Sequence, residues 1–311
     1  MMNNHTSGSQ GKRALVLSGG GSKGAYSVGV VKALLESGRK YDVIAGVSVG
    51  SLIASHVAMY KPEDQWSGYD ALERIWKEKV KNNESVYKPW APGFLTYLWS
   101  LWKGGIYSMR PLRDIIEGEF EPGNLDNSGV TLYVGVVSLQ SGEYRGVNIE
   151  PTMKQQKAVD WIWASSIFPI LFPPVEIDGE QWLDGGVRDV VPVKDILANH
   201  PEVTHIDAVI TSPRKGGAGQ QDGKFLSVVD VAIRGAGLLA DEVYVSDLTG
   251  HCSEHGTGLT VYDPSEQPND DSFRFDPEEI QLLIQKGYEE TKVKIALELS
   301  RQAFESEIVN T

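Results

Sequence analysis

The fold is decided by ALVLSGGGSKGAYSVG, residues 14–29, close to the start of the chain. The aliphatic residues from 13 to 18 are typical of a buried parallel strand, and the apolar residues from 25 to 37 recur at helical spacing. A second strand at 41–47 and a second helix at 49–60 repeat this order. Because parallel strands joined by helices form a sheet that is covered on both faces, the sequence predicts an α/β fold with a mostly parallel central sheet.

The remainder of the chain continues this pattern without an internal repeat or a clear linker. Strands are predicted at residues 130–139, 143–148 and 204–211, and helices at 62–80, 154–165, 226–249 and 277–305. Loops rich in proline, glycine or polar residues are predicted at 168–174, 213–224 and 263–272. We therefore expect one three-layer α/β/α domain over residues 13–311, preceded by a disordered polar tail over residues 1–12.

Composition narrows the classes of partner. The formal net charge of the 311 residues is -13, whereas nucleic-acid binding usually requires a basic face, so we expect no nucleic-acid partner. A single cysteine, Cys252, cannot form an internal disulfide. We see no stretch with the apolar character of a signal peptide or a transmembrane helix, and therefore expect a protein that is cytoplasmic or peripheral at a membrane. The oligomeric state is left open.

The motif Gly46-Val47-Ser48-Val49-Gly50 lies between the second predicted strand and the second predicted helix. In a nucleophile elbow, small residues two positions on either side of a serine allow a tight, strained turn that exposes its hydroxyl. The flanking strand and helix are the context that this motif requires. The sequence therefore predicts Ser48 as a nucleophile, although the same five residues are also compatible with a simple turn that caps a helix.

The glycines after the first strand have two interpretations. Gly19, Gly21 and Gly24 match the spacing of a dinucleotide-binding turn, which also requires an acidic residue at the end of the second strand. That strand ends instead at Ser48, which disfavours a nucleotide-binding protein and leaves it as an alternative. If the first two strands are neighbours, both turns lie at one edge of the sheet. The N–H groups of Gly19, Gly20 and Gly21 would then form an oxyanion hole for an ester attacked by Ser48.

A serine nucleophile also requires a general base. One candidate set is the histidines of a Ser-His-Asp α/β-hydrolase, for which the elbow comes early in the chain. We expect His56 to be packed inside the second helix, which leaves His200, His205, His251 and His255. The other candidate is a carboxylate that acts alone, Asp184 in QWLDGG at residues 181–186, although Asp-Gly-Gly is also typical of a turn.

Four segments follow one another between residues 12 and 192: SGGGSKG at 18–24, GVSVG at 46–50, ASSIFP at 164–169 with FPP at 172–174, and DGG at 184–186. Together they resemble the patatin-like phospholipases. The resemblance implies a lipid acyl hydrolase, such as a phospholipase A, lysophospholipase or carboxylesterase, that uses a Ser-Asp dyad without a cofactor, a metal or a catalytic histidine. Its implied substrate is a phospholipid or another lipid ester at a membrane or micelle surface.

The resemblance also assigns roles to individual residues. It implies Ser48 as the nucleophile, Asp184 as the general base, and the backbone of Gly19, Gly20 and Gly21 as the oxyanion hole. It implies a supporting role for the other motif residues, which are Lys23, Gly24, Gly46, Gly50, Gly185 and Gly186. Related sequences often carry Asn between Asp-Gly-Gly and the next proline, where this chain has Arg188-Asp189. This departure leaves the hydrogen bonding of that loop open.

Three of the eight tryptophans lie within residues 90–107. Large amphipathic rings favour a membrane interface, and the glycines that border a short predicted helix would allow it to move. One hypothesis is a lid or docking element over the acyl-chain crevice. The other is a helix hairpin that packs on the core, and the sequence does not decide between them.

Overall fold

A sheet of eight strands forms the centre of the computed structural model, which describes residues 11–93, 95–213, 252–266 and 271–309. Its strands are β1 (Lys12–Leu17), β2 (Val43–Val47), β5 (Thr131–Ser138), β6 (Tyr144–Asn148), β7 (Val175–Ile177), β8 (Glu180–Asp184), β9 (Val203–Val209) and β10 (Gly258–Tyr262). Two further short strands, β3 (Lys88–Pro89) and β4 (Tyr107–Ser108), form a separate antiparallel pair.

The helices connect these strands and cover the sheet. They are α1 (Gly24–Glu36), α2 (Val49–Ala58), α3 (Gln65–Arg74), α4 (Leu95–Lys103), α5 (Arg110–Glu119), α6 (Gly123–Ser128), α7 (Gln155–Ser165), α8 (Val193–Asn199) and α9 (Pro277–Val309).

The strand order confirms the predicted mostly parallel α/β sheet. The order is β10-β9-β1-β2-β5-β8-β7, with β6 also paired to β5. The five strands from β10 to β5 are parallel to their neighbours, whereas β6, β7 and β8 pair antiparallel. Because β1 and β2 are parallel neighbours, the turns that follow them lie at the same edge of the sheet, as predicted.

Alternating side chains of β1 face the two sides of the sheet, as the period of a strand requires. Leu15 and Leu17 belong to the larger apolar cluster, which includes residues of α1, α2, α7 and α9. Ala14 and Val16 belong to the second cluster, which includes residues of α8. The sheet is thus buried between two helical layers, and α9 packs against α1.

Several predicted elements differ from the structure at their ends. The helix predicted to open at Pro62 begins at Gln65, and a π-helical turn over Ile75–Lys79 follows it. Strand β1 begins at Lys12, inside the predicted tail, of which residues 1–10 lie outside the described residues. The helix predicted at 226–249 also lies outside them.

The sequence analysis missed the hairpin of β7 and β8. Its two-residue turn is Asp178-Gly179, and both residues have positive φ, 52° and 82°. Asp-Gly is the preferred turn for such a hairpin, so the signal was present in the sequence. The consequence concerns the candidate base Asp184, which is the last residue of β8.

Candidate active site

Ser48 occupies the single position between β2 and α2, in a strained backbone conformation. Its φ and ψ are 56° and -131°, and a non-glycine residue at positive φ costs about 1 to 3 kcal/mol. The glycines on either side allow this turn. A Cβ on Gly46 would lie 2.3 Å from the carbonyl oxygen of Gly50, and one on Gly50 would lie 2.2 Å from that of Leu17. The turn has the strand and helix context that the nucleophile motif requires.

Ser165, at the end of α7, holds the backbone of Ser48. The Ser48 N–H donates to Ser165 Oγ at 3.0 Å, and the Ser165 hydroxyl donates to the carbonyl of Gly135 at 2.7 Å. Ser165 is fully buried, so the bridge is shielded from water. The sequence analysis included Ser165 in a motif but gave it no role.

The pairing of β5 with β2 and with β8 places Asp184 next to Ser48. Val47, the last residue of β2, pairs with Gly135, and Asp184 pairs with the next residue of β5, Val136. Strand β8 therefore pairs with β5 directly beyond the end of β2. The Ser48 side chain lies close enough to the Asp184 carboxylate across this junction to lower its pKa.

The Asp184 carboxylate is buried, with 3% of its surface exposed. Burial raises its pKa to about 7, while the Ser48 side chain and the hydrogen bond from the Gly186 N–H act in the opposite direction. The Gly186 N–H lies 2.8 Å from Oδ1 and orients the carboxylate. At neutral pH this group therefore exchanges a proton readily, which is what a general base requires.

The glycine turn after β1 lies against Ser48. A Cβ on Gly19 would be 3.1 Å from Ser48 Cβ and 3.8 Å from its Oγ. Gly20 and Gly21 have φ of 147° and 58°, which a side chain rarely tolerates. Among the described residues, no atom accepts a hydrogen bond from the N–H groups of Gly20 and Gly21. The N–H of the next residue, Ser22, donates to the carbonyl of Ser272 at 2.8 Å.

Two residues far along the chain hold this turn, and the sequence analysis missed both. The Thr211 hydroxyl donates to Gly19 O at 2.6 Å, and the Thr211 N–H donates to Ser18 Oγ at 3.2 Å. The carbonyl of Ser272 is the acceptor for Ser22 and would be 2.0 Å from a Cβ on Gly21. No local pattern marks these residues, because their role arises from contacts about 190 and 250 positions away in the chain.

An aromatic cluster borders the same region. The Phe168 and Phe273 rings are 5.3 Å apart, and Phe172 lies 6.5 Å from Phe273. Phe168 follows Ile167, whose carbonyl accepts the Asp184 N–H at 3.0 Å, while Phe273 follows Ser272. The cluster therefore links the Asp184 side of the site to the glycine turn; Phe168 and Phe273 are half-buried, whereas Phe172 is fully buried.

The remaining motif residues occupy the junctions between these elements. Gly24 begins α1, where a Cβ would meet the Val49 side chain at 2.4 Å, and Lys23, just before it, is buried. A Cβ on Gly185 would lie 2.6 Å from Gly135 O.

The loop that departs from the family pattern is closed by its own backbone. The N–H groups of Arg188 and Asp189 both donate to Gly185 O, at 2.9 and 3.0 Å. Asp189 Oδ1 also accepts from the Val191 N–H at 3.1 Å. These hydrogen bonds hold the loop, although it lacks the Asn that related sequences often carry.

The histidines form other contacts. His56 is buried in α2 with Nδ1 on the carbonyl of Leu52 at 2.9 Å, as expected for a packed residue. His205 contacts Thr260, and His200 contacts Tyr133 and Glu202. His255 is exposed, and His251 lies outside the described residues.

Comparisons with known proteins indicate the family of this chain. The family model of the patatin-like phospholipases matches residues 15–197, which include every candidate site residue from Gly19 to Gly186. A patatin-like phospholipase domain-containing protein of Caenorhabditis elegans, ZK370.4, is 27% identical over 60% of this chain. Lysophospholipase NTE1 of Saccharomyces cerevisiae is also 27% identical, over 59% of the chain.

The chain spans only a small part of these relatives, 12% and 10% of their respective lengths. Among solved structures, VipD from Legionella pneumophila is 18% identical with a TM-score of 0.44, and the match covers 90% of this chain and 66% of that one. Within the described residues, we find no helix that is both long enough and apolar enough to cross a bilayer. Because the family model matches more than half of the residues of this chain, the chain belongs to the patatin-like phospholipase family.

Proposed function

We propose that this protein is a lipid acyl hydrolase in which Ser48 is the nucleophile and Asp184 the general base. The observation that carries the proposal is the proximity of the Ser48 side chain to a buried carboxylate whose pKa is raised to about 7, which follows from the pairing of β5 with β2 and β8. A serine hydroxyl is a weak nucleophile unless a base accepts its proton, and Asp184 is in position to do so.

The first half of the reaction forms an acyl-enzyme. Ser48 Oγ attacks the ester carbonyl while its proton passes to Asp184, and the carbonyl oxygen becomes an anion. The N–H groups of the turn at Gly19, Gly20 and Gly21 stabilise this anion, a contribution typically worth several kcal/mol. Collapse of the intermediate breaks the ester bond, and the leaving alcohol takes the proton from Asp184.

The second half releases the acid. Asp184 accepts a proton from water, the resulting nucleophile attacks the acyl-enzyme, and the proton returns to Ser48 Oγ as the carboxylic acid departs. The serine and the carboxylate are thereby restored. Each step uses residues that lie on the β2–α2 turn, the end of β8 and the turn after β1.

The substrate class that we propose is a phospholipid or another lipid ester at a membrane or micelle surface. The names of the relatives include phospholipase and lysophospholipase. The half-buried rings of Phe168 and Phe273 support this assignment, because an acyl chain beside the site would contact apolar rings.

Replacement of either proposed catalytic residue tests the mechanism. We expect Ser48→Ala and Asp184→Asn each to lower kcat/KM on a p-nitrophenyl ester by about 1,000-fold or more, since the two act as a unit. A panel of defined phospholipids with product identification then gives the acyl position. Labelling of the protein by a fluorophosphonate should be lost in Ser48→Ala.

Asp195→Asn is the control, because Asp195 is a partly buried carboxylate with a raised pKa that accepts a hydrogen bond from Tyr144 at 2.8 Å. It should keep the activity of the unaltered protein. Near-normal turnover by folded Ser48→Ala or Asp184→Asn would overturn the dyad, and loss of turnover in His205→Ala or His255→Ala would favour a Ser-His-Asp enzyme. Stabilisation by a dinucleotide without fluorophosphonate labelling would favour a nucleotide-binding protein.

A further inference from the structure

Helix α4 exposes large apolar side chains around most of its circumference. The residue that it buries is Thr96, whereas Leu101 and Trp102 are 81% and 89% exposed. Its other exposed large apolar residues are Leu95, Tyr97, Leu98 and Trp99. The hypothesis that this helix packs on the core is therefore wrong. Contiguous exposed apolar surface of this kind usually marks an interaction site.

The charge around α4 differs in sign from that of the whole protein. Between Ser85 and Arg110 the chain has two basic residues, Lys88 and Lys103, and no acidic one, although the net charge of the protein is -13. The Lys103 ammonium lies 5.6 Å from the centre of the Trp90 ring and 5.7 Å from that of Trp99. Aromatic rings combined with lysine are typical of segments that lie in the headgroup region of a membrane.

The same charge distribution indicates which part of the protein would face an anionic membrane. An acidic protein is repelled by an anionic surface except where its local charge is positive. The residues between Ser85 and Arg110, which form the α4 segment, are both apolar and locally basic. The α4 segment therefore complements an anionic bilayer in charge as well as in polarity.

The α4 segment is also connected to the candidate active site. After α4, a Cβ on Gly105 would lie 2.4 Å from the Phe172 carbonyl carbon, so the two backbones are in close contact. The N–H groups of Ile106 and Tyr107 then donate to the carbonyls of Ile170 and Leu171 at 3.2 and 2.8 Å. These acceptors belong to the loop of residues 168–174, which carries Phe168 and Phe172 of the aromatic cluster.

We propose that α4 is the docking element of this protein and that it lies in the interface of an anionic lipid bilayer. The inference rests on the proposed function, since a hydrolase of membrane lipids must reach its substrate at the bilayer. Docking through α4 places the aromatic cluster and the Ser48 site next to the lipid from which the ester is taken.

Vesicle binding by the 311-residue chain tests the proposal separately from catalysis. The Ser48→Ala background prevents hydrolysis, and the vesicles are phosphatidylcholine with or without phosphatidylglycerol. We expect cosedimentation with the anionic vesicles, reduced about tenfold or more by Leu101→Ser with Trp102→Ser, because two large apolar side chains no longer enter the interface. Leu297→Ser with Phe304→Ser is the matched control, since these α9 residues are 66% and 62% exposed, and it should bind normally.

With Ser48 intact, the α4 variant should hydrolyse vesicular phospholipid about tenfold more slowly, yet cleave a soluble short-chain ester within about twofold of the unaltered protein. Normal vesicle binding by the α4 variant, or equal binding to neutral vesicles, overturns the proposal. So does a dimer in solution that dissociates in the α4 variant, which would make α4 an interface between two copies. Failure of the unaltered protein to cleave any ester would refute the proposed function, whereas binding through α4 would still be measured.

Discussion

Ser48 and Asp184 are both held in states that cost free energy. Ser48 has a backbone conformation that is rare outside glycine, and Asp184 is a carboxylate buried away from water. The contacts from Ser165 and Gly186 stabilise these states without removing them. Costs of this kind concentrate at functional sites, which makes these two residues candidates for one.

The raised pKa of Asp184 predicts a pH dependence. The carboxyl can act as a base only when it is ionised, and its pKa of about 7 lies well above the usual value for aspartate. We therefore expect kcat/KM on a soluble ester to fall about tenfold per unit well below pH 7 and to level off above pH 8. The measurement is a pH–rate profile with an ester whose leaving group does not titrate in this range.

Asp195→Asn provides the control for this profile and should leave its midpoint unchanged. A rate that stays constant from about pH 8 down to about pH 5 would show a base with an ordinary carboxyl pKa. That result would contradict the assignment of a buried Asp184 as the base.

The elements around the site differ in how far the sequence could predict them. The β1 and β2 turns were predictable because their glycines, strands and helices are adjacent in the chain. The placement of Asp184 was not, because it depends on β8 pairing with β5 at the residue next to the partner of Val47. Recognition of the Asp178-Gly179 turn would have located the hairpin but not its register on β5.

The close packing of the turn between β2 and α2 predicts that two glycine substitutions differ in their effect on stability. In Gly50→Ala the new Cβ would lie 2.2 and 2.6 Å from the carbonyl oxygens of Leu17 and Ser18, which are backbone atoms that cannot easily move. We expect a loss of about 1 to 3 kcal/mol in the free energy of unfolding, or more, together with a loss of activity. Denaturant titration followed by circular dichroism gives the stability.

Gly118→Ala is the reference substitution. Gly118 lies in α5 with no atom within 4 Å of the new Cβ, so alanine should be neutral or stabilising by up to about 1 kcal/mol. If the two variants proved equally stable, the close contact between the elbow and the end of β1 would not be a constraint on the fold.

At the scale of the whole molecule, the site depends on residues beyond the part that the family model matches. The matched region ends at residue 197, yet β9 pairs with β1, and Thr211 and Ser272 hold the glycine turn. Such contacts could not be predicted from local pattern, because each joins positions far apart in the chain. The C-terminal region is therefore part of the structural support of the site.

Helix α9 gives the clearest test of that dependence. It approaches α1 through two glycines: a Cβ on Gly287 would lie 2.1 Å from Tyr26 O, and one on Gly29 would lie 1.9 Å from Ile284 O. The Tyr26 hydroxyl also donates to Glu290 at 3.0 Å. Since α1 begins directly after the glycine turn, a shift of α9 should move the proposed oxyanion hole.

We expect Gly287→Leu to separate the two helices, to lower the free energy of unfolding by about 1 to 3 kcal/mol or more, and to reduce kcat on a soluble ester. Leu299→Ala, at an exposed position of the same helix, should change neither quantity. Thermal unfolding and ester hydrolysis measured on both variants decide the matter. A Gly287→Leu protein with normal stability and normal kcat would show that α9 is not required to hold α1, and the support of the site would then have to lie in Thr211 and Ser272.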